Sequence, residues 1–159
     1  MPLAGAIVWF CAGLISLKLE FNLAIYVLLF STGAIFPLAL IISKLRNEAL
    51  IASINPFSKL IGLCVLMVNL LWGVHVPLVF YAPEFVPLSL GIGLGLHWIV
   101  YSWIISHPLG IIHSILRTLL IVLAWYFFPE ARIFAVSIAI VLVYSLSLFQ
   151  MLTRKIEIR

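Results

Sequence analysis

Apolar residues fill this chain in six long stretches, each closed by a short group of charged, proline or glycine residues. The stretches cover about residues 3–17, 21–42, 60–81, 88–105, 111–128 and 133–152. None alternates with the period of a half-buried strand. Each is continuous, as a helix apolar on all sides would be. A helix needs about 20 such residues to cross a hydrocarbon layer of ~30 Å. The pattern therefore predicts an all-α, polytopic bundle of six transmembrane helices in a single domain. The first stretch is the shortest. No basic residue precedes it, whereas Lys18 and Glu20 follow it. A cleaved leader has its positive charge in front, so the stretch reads as a span.

The breaks carry turn chemistry. Pro37 predicts a kink in the second span, because it removes one helical hydrogen bond. Residues 43–58 form the longest connection, partly amphipathic and suited to the membrane surface, with an Asn55-Pro56 turn at its end. Pro83-Glu84, Ser106-His107-Pro108 and Pro129-Glu130 close the later spans. Tyr81, Trp103 and Trp125–Phe128 fall near span ends, where an aromatic belt meets the interface.

Composition strengthens this picture. Of 159 residues, 65% are hydrophobic and 9% charged, against about 25% charged in a soluble domain. So little charge cannot keep a surface of this size wet, and the lipid bilayer is the expected partner. The net charge of +4 would hint at nucleic acid in a soluble chain. Here the basic residues flank the spans, so nucleic acid is not expected. Six spans put Lys44, Arg46, Lys59, Arg154, Lys155 and Arg159 on one side, and Lys18 and Arg132 on the other. That bias predicts cytoplasmic termini. Cys11 and Cys64 lie inside spans and form no disulfide framework.

Candidate chemistry rests on polar residues inside the spans, where ionisable groups need a partner or a cavity. Arg117 is the costliest. His113 lies four residues earlier on the same helical face. His97 falls near the middle of the fourth span, with Tyr101 one turn on and Asn69 in the third span. Together His97, Tyr101, His113, Arg117 and Asn69 are candidate lining residues of a polar pocket, with Thr32 and Gln150 as further contributors. The alternative for each is structural: Arg117 can snorkel to the interface, and His97 can bond a carbonyl. His97, His107 and His113 are the only histidines in one region that can be weighed as metal or haem ligands, though their spacing matches no ligand pattern. Gly91 and Gly95, four apart, suit close helix packing. No carboxylate lies near the histidines, no serine sits in a nucleophile elbow, and no motif names a cofactor.

Several short segments carry a resemblance. They are Phe36-Pro37-Leu38-Ala39-Leu40 with Ser43-Lys44, Asn55-Pro56-Phe57-Ser58-Lys59-Leu60, and Gly95-Leu96-His97 followed by Tyr101-Ser102-Trp103. Together they resemble a family of small, uncharacterised bacterial integral membrane proteins, a domain of unknown function, over about residues 6–150. The resemblance implies a bacterial inner-membrane location and one multi-pass domain, and no activity. Members of that family tend to begin with a longer charged segment, which this sequence lacks. Three functions are expected in descending order. The first is transport or permeation of a small solute, anion or proton. The second is a structural or partner-binding role, as a homo-oligomer packed through Gly91 and Gly95. The third is an intramembrane haem or metal protein.

Overall fold

The computed structural model describes residues 2–46 and 56–153, with side chains for 2–46 and 60–153. Every regular element among them is helical. In chain order they are α1 (Pro2–Ser16), α2 (Phe21–Gly33), α3 (Ile35–Leu45), α4 (Pro56–Leu70), α5 (Trp72–Tyr81), α6 (Val86–Ile104), α7 (Leu109–Phe127) and α8 (Arg132–Thr153). Short 3₁₀ turns at Pro83–Phe85 and Pro129–Ala131 precede α6 and α8. The six apolar stretches are thus recovered to within a few residues, two of them in pieces.

Four of the described stretches are long and apolar enough to cross a membrane: Leu60–Tyr81, Pro83–Ile104, Leu109–Phe127 and Pro129–Thr153. Joining α2 to α3 makes a fifth, bent by 42°. α1 is apolar but shorter, about 22 Å at 1.5 Å per residue. The α2–α3 break lies at Ala34, four residues after Phe30 and three before Pro37. Pro37 has no N–H for the carbonyl of Gly33, so the ladder opens just upstream of the ring. The bend expected from Pro37 is therefore present, displaced toward the N-terminus as proline sterics require. Of the connection 43–58, α3 takes residues through Leu45 and α4 begins at Pro56. Residues 47–55, including Asn55, lie outside the described residues, as do the tail's Arg154, Lys155 and Arg159.

Close contacts give the helix directions. Gly5 of α1 faces the Tyr144 ring, and Gly13 faces Ser137, so α1 and α8 run antiparallel. Gly91 faces Ile121 and Gly95 faces Arg117, so α6 and α7 form an antiparallel hairpin. His113 bonds Ser147, while Gly91 also faces Ile140, which sets α7 antiparallel to α8. α1 and α7 are consequently parallel. α1, α6, α7 and α8 form the packed centre, with α2 against α1.

The hairpin α6–α7 is stitched by small residues. Gly110 lies against the backbone carbonyl of Trp98, so close that a Cβ would collide with it. Ser102 Oγ accepts from the N–H of Ile111 at 2.8 Å. The single proton of Ser114 Oγ has the carbonyls of Gly95 and Gly110 within reach, at 3.0 and 2.9 Å. At the opposite end, the Trp125 indole N–H donates to Glu84 O at 2.6 Å. Its rings stack on Phe85 at 4.8 Å, and the Arg132 guanidinium lies 4.6 Å over it. The two Pro-Glu turns therefore share one end of the bundle.

Polarity is arranged inside out. Phe30, Leu70, Phe80, Tyr126, Phe149 and Leu152 are exposed, whereas Arg117, His113, Ser114, Ser137 and Ser147 are buried. The α4–α5 span is peripheral. Only 6% of its most apolar window is buried, against 44% for the α6 and α8 stretches.

Candidate functional site

Arg117 occupies the centre of the packed helices. It sits nine residues into α7 and is completely buried. Gly95 on the facing helix makes room for it: a Cβ there would lie 2.9 Å from Arg117 Cδ. The Arg117 Nε–H donates to the carbonyl of Gly91 at 2.8 Å. The guanidinium Cζ lies 5.6 Å from the Trp9 ring and 5.3 Å from the Tyr144 ring. Such cation–π contacts offset part of the cost of removing the charge from water. The two terminal nitrogens, Nη1 and Nη2, are buried and have no hydrogen-bond partner. A buried cation left in this state is costly, and each unmade bond costs about 1–3 kcal/mol.

One turn earlier on α7, His113 is also buried. Its Nδ1 is 2.7 Å from Ser147 Oγ on α8. Its ring stacks on Trp98 with centroids 3.9 Å apart and planes 13° from parallel, and Tyr144 packs beside both rings, 5.1 Å from His113 and 5.9 Å from Trp98. His113 Nε2 has no partner, and neither do the indole N–H groups of Trp9 and Trp98. Indole and guanidinium nitrogens donate and cannot accept. The centre of the protein is therefore rich in unused donors: Arg117 Nη1 and Nη2, Trp9 Nε1 and Trp98 Nε1. What such a set can hold is an acceptor with negative charge, since Arg binds carboxylates and phosphates through parallel N–H bonds.

Of the other sequence candidates, His97 borders the cluster: it is half-buried on α6, its ring is 6.2 Å from that of Trp98, and its Nδ1 is buried without a partner among the described residues. Tyr101 is half-buried with its ring edge-on to Trp98 at 5.5 Å. Asn69 is not gathered into the cluster. It is exposed on α4 and its amide donates to Val65 O, within its own helix, at 2.8 Å. α4 packs mainly on α6, so the phase of that helix turns Asn69 outward. Thr32 is buried but donates to Leu29 O on its own helix. Gln150 is half-buried on α8, three residues past Ser147.

His107 does not join His97 and His113. It is exposed in the α6–α7 turn, and its Nδ1 accepts from the N–H of Leu109 at 3.1 Å. Among the described residues, no group of three His, Cys, Asp or Glu side chains is placed to hold a metal ion. The proposed histidine ligand set is thus not assembled. Gly91 and Gly95 pack inside the chain, against Ile121, Ile140 and Arg117.

Sequence reasoning missed Trp9, Trp98, Tyr144 and Ser147 as members of the site. Tryptophan and tyrosine in an apolar stretch read as packing or belt residues. The usable signal was the spacing of Tyr144 and Ser147 on α8, which puts both on one face, toward Arg117 and His113.

With the site described, comparison with known proteins adds the family. Residues 1–154 match DUF7010, a family of unknown function. The chain belongs to that family. The match covers nearly the whole chain in one piece and extends beyond the segments that carried the resemblance. No curated protein and no solved structure matches this DUF7010 chain.

Proposed function

We propose that this DUF7010 protein is a six-span membrane protein, with both termini cytoplasmic, that takes a small anion into the Arg117 site and carries it between the two faces. The parity of the helices supports six crossings. α1 is antiparallel to α8, so the first and last spans run in opposite directions, which requires an even number. Counting α2–α3 as one bent span and α4–α5 as one span, together with α1, α6, α7 and α8, gives six. α1 lies alongside the middle of α8, from Ser137 to Tyr144, at a depth that only membrane or protein can surround. The two Pro-Glu turns share one end, as alternating spans require. The excess of basic residues at the other end supports cytoplasmic termini.

A single observation carries the anion. Arg117 is wholly buried, and among the described residues both of its terminal nitrogens are unpartnered and no carboxylate joins the cluster of further donors around it. An intramembrane ionisable residue in this condition is a ligand site by default. The kink at Pro37 and the loosely packed α4–α5 span give the bundle the mobile parts that opening this closed site needs.

The test is flux into proteoliposomes of purified protein, with chloride, nitrate, acetate and phosphate as probes. At least one anion should move at a rate reduced ten-fold or more in Arg117→Gln, and unchanged in Arg132→Gln. Equal flux in both variants, or no flux for any anion, counts against the reading. The second reading is structural. It draws on the contacts Arg117 makes to Gly91, Trp9 and Tyr144 on three other helices, and it predicts that removing the charge unfolds the bundle.

A further inference from the structure

A separate cavity of about 400 Å³ opens between α5 and α6, in the range of small-ligand sites. Its walls are apolar, with Leu71, Val74, Leu78 and Ile92 among them, and it has two polar side chains, His75 and Ser89. It uses no residue of the Arg117 cluster. His75 is 3% exposed, and its Nδ1 lies 3.1 Å from Ser89 Oγ. Ser89 Oγ also lies 3.2 Å from the carbonyl of Val86. With the Ser89 proton on that carbonyl, Oγ accepts from His75 Nδ1 and the neutral ring carries its proton on Nδ1; with the Ser89 proton turned to Nδ1, the tautomer reverses. In the first arrangement Nε2 is left as a bare lone pair, an acceptor without a donor.

That nitrogen faces the cavity. A Cβ on Gly93, which lines it, would lie 3.8 Å from His75 Nε2 and 2.7 Å from Leu71 Cδ1. Glycine at this position keeps the space open. An apolar cavity with one accessible acceptor is complementary to an apolar body with one hydrogen-bond donor. We infer that the α5–α6 cavity binds the hydroxyl head of an apolar alcohol or phenol dissolved in the membrane, with the O–H donating to His75 Nε2. A carbonyl or ether head offers no proton and fits less well. Phenolic rings, isoprenoid alcohols and acylglycerols share the required chemistry.

The experiment compares 4-hexylphenol with 4-hexylanisole, its methyl ether, which has the same apolar body and no donor. Binding to the full chain in nanodiscs is measured with empty nanodiscs as the blank. The expected result is one phenol per chain, bound at least ten-fold tighter than the anisole. His75→Phe and Gly93→Val should each weaken the phenol ten-fold or more. Ser89→Ala, which frees Nδ1 and lets the proton move to Nε2, should erase the preference for the phenol while the protein stays folded. Arg117→Met should leave phenol binding unchanged, which separates this site from the anion site. Equal affinity for phenol and anisole would overturn the inference and point to an acyl chain as the occupant. A preference retained in both His75→Phe and Ser89→Ala would overturn it as well.

Discussion

Arg117 is the residue on which the account turns. In a dry interior a guanidinium without an anion destabilises the protein that holds it, and replacing a buried charge by an apolar side chain of similar length is often neutral or stabilising. Arg117→Met should therefore keep a melting temperature at or above that of the unaltered protein in anion-poor buffer, as read by circular dichroism. His113→Phe keeps the stack on Trp98 but loses the bond to Ser147. It should cost about 1–3 kcal/mol, read as a lower melting temperature. The polar members of the site were legible at this scale because Arg and His stand out in apolar stretches and His113 and Arg117 share a face at i, i+4. Trp9, Trp98 and Tyr144 were not, because a buried indole or phenol differs from its neighbours only in where its polar atom points. Asn69 misled for the complementary reason: its type marks it as polar, but the phase of α4 turns it outward.

At the scale of elements, the glycines separate cleanly. A Cβ on Gly110 meets the backbone of Trp98, which cannot rotate away, whereas Gly62 and Gly73 have open space. Gly110→Ala should cost about 1–3 kcal/mol through overpacking and lower the melting temperature. Gly62→Ala should stabilise α4 by up to about 1 kcal/mol through helix propensity. Similar losses for both would mean that the α6–α7 crossing is looser than described. Helix extents were legible to within a few residues, since apolar length and Pro-Glu or Ser-His-Pro breaks fix them locally. Pro37 gave the bend, and proline sterics moved it upstream to Ala34. The pairing of α1 with α8 was not legible. It joins the two ends of the sequence through Gly5, Gly13, Ser137 and Tyr144, and no local pattern encodes that distance.

At the scale of the molecule, the described fold has a packed centre of α1, α6, α7 and α8, with the bent α2–α3 pair and the α4–α5 stretch around it. Parity then makes a topological prediction. After Cys11→Ser and Cys64→Ser, single cysteines replacing Lys44 and Arg132 should react with a membrane-impermeant maleimide from opposite faces of the bilayer. Lys18→Cys should behave as Arg132→Cys does. Labelling of Lys18→Cys and Lys44→Cys from the same face would remove one crossing and the six-span arrangement with it.

The claim that joins these scales is that the buried charge of Arg117 exists to meet an anion. The most direct measurement is the melting temperature of purified protein and of Arg117→Met, each with and without the anions of the flux panel. A ligand that binds only the folded state at 100 times its Kd stabilises by about 2.7 kcal/mol. The account predicts that at least one anion raises the melting temperature of the unaltered protein by several degrees. Arg117→Met should be as stable without anions and indifferent to them. A variant that melts well below the unaltered protein, with no anion effect in either, would contradict the account and make Arg117 a structural cross-brace.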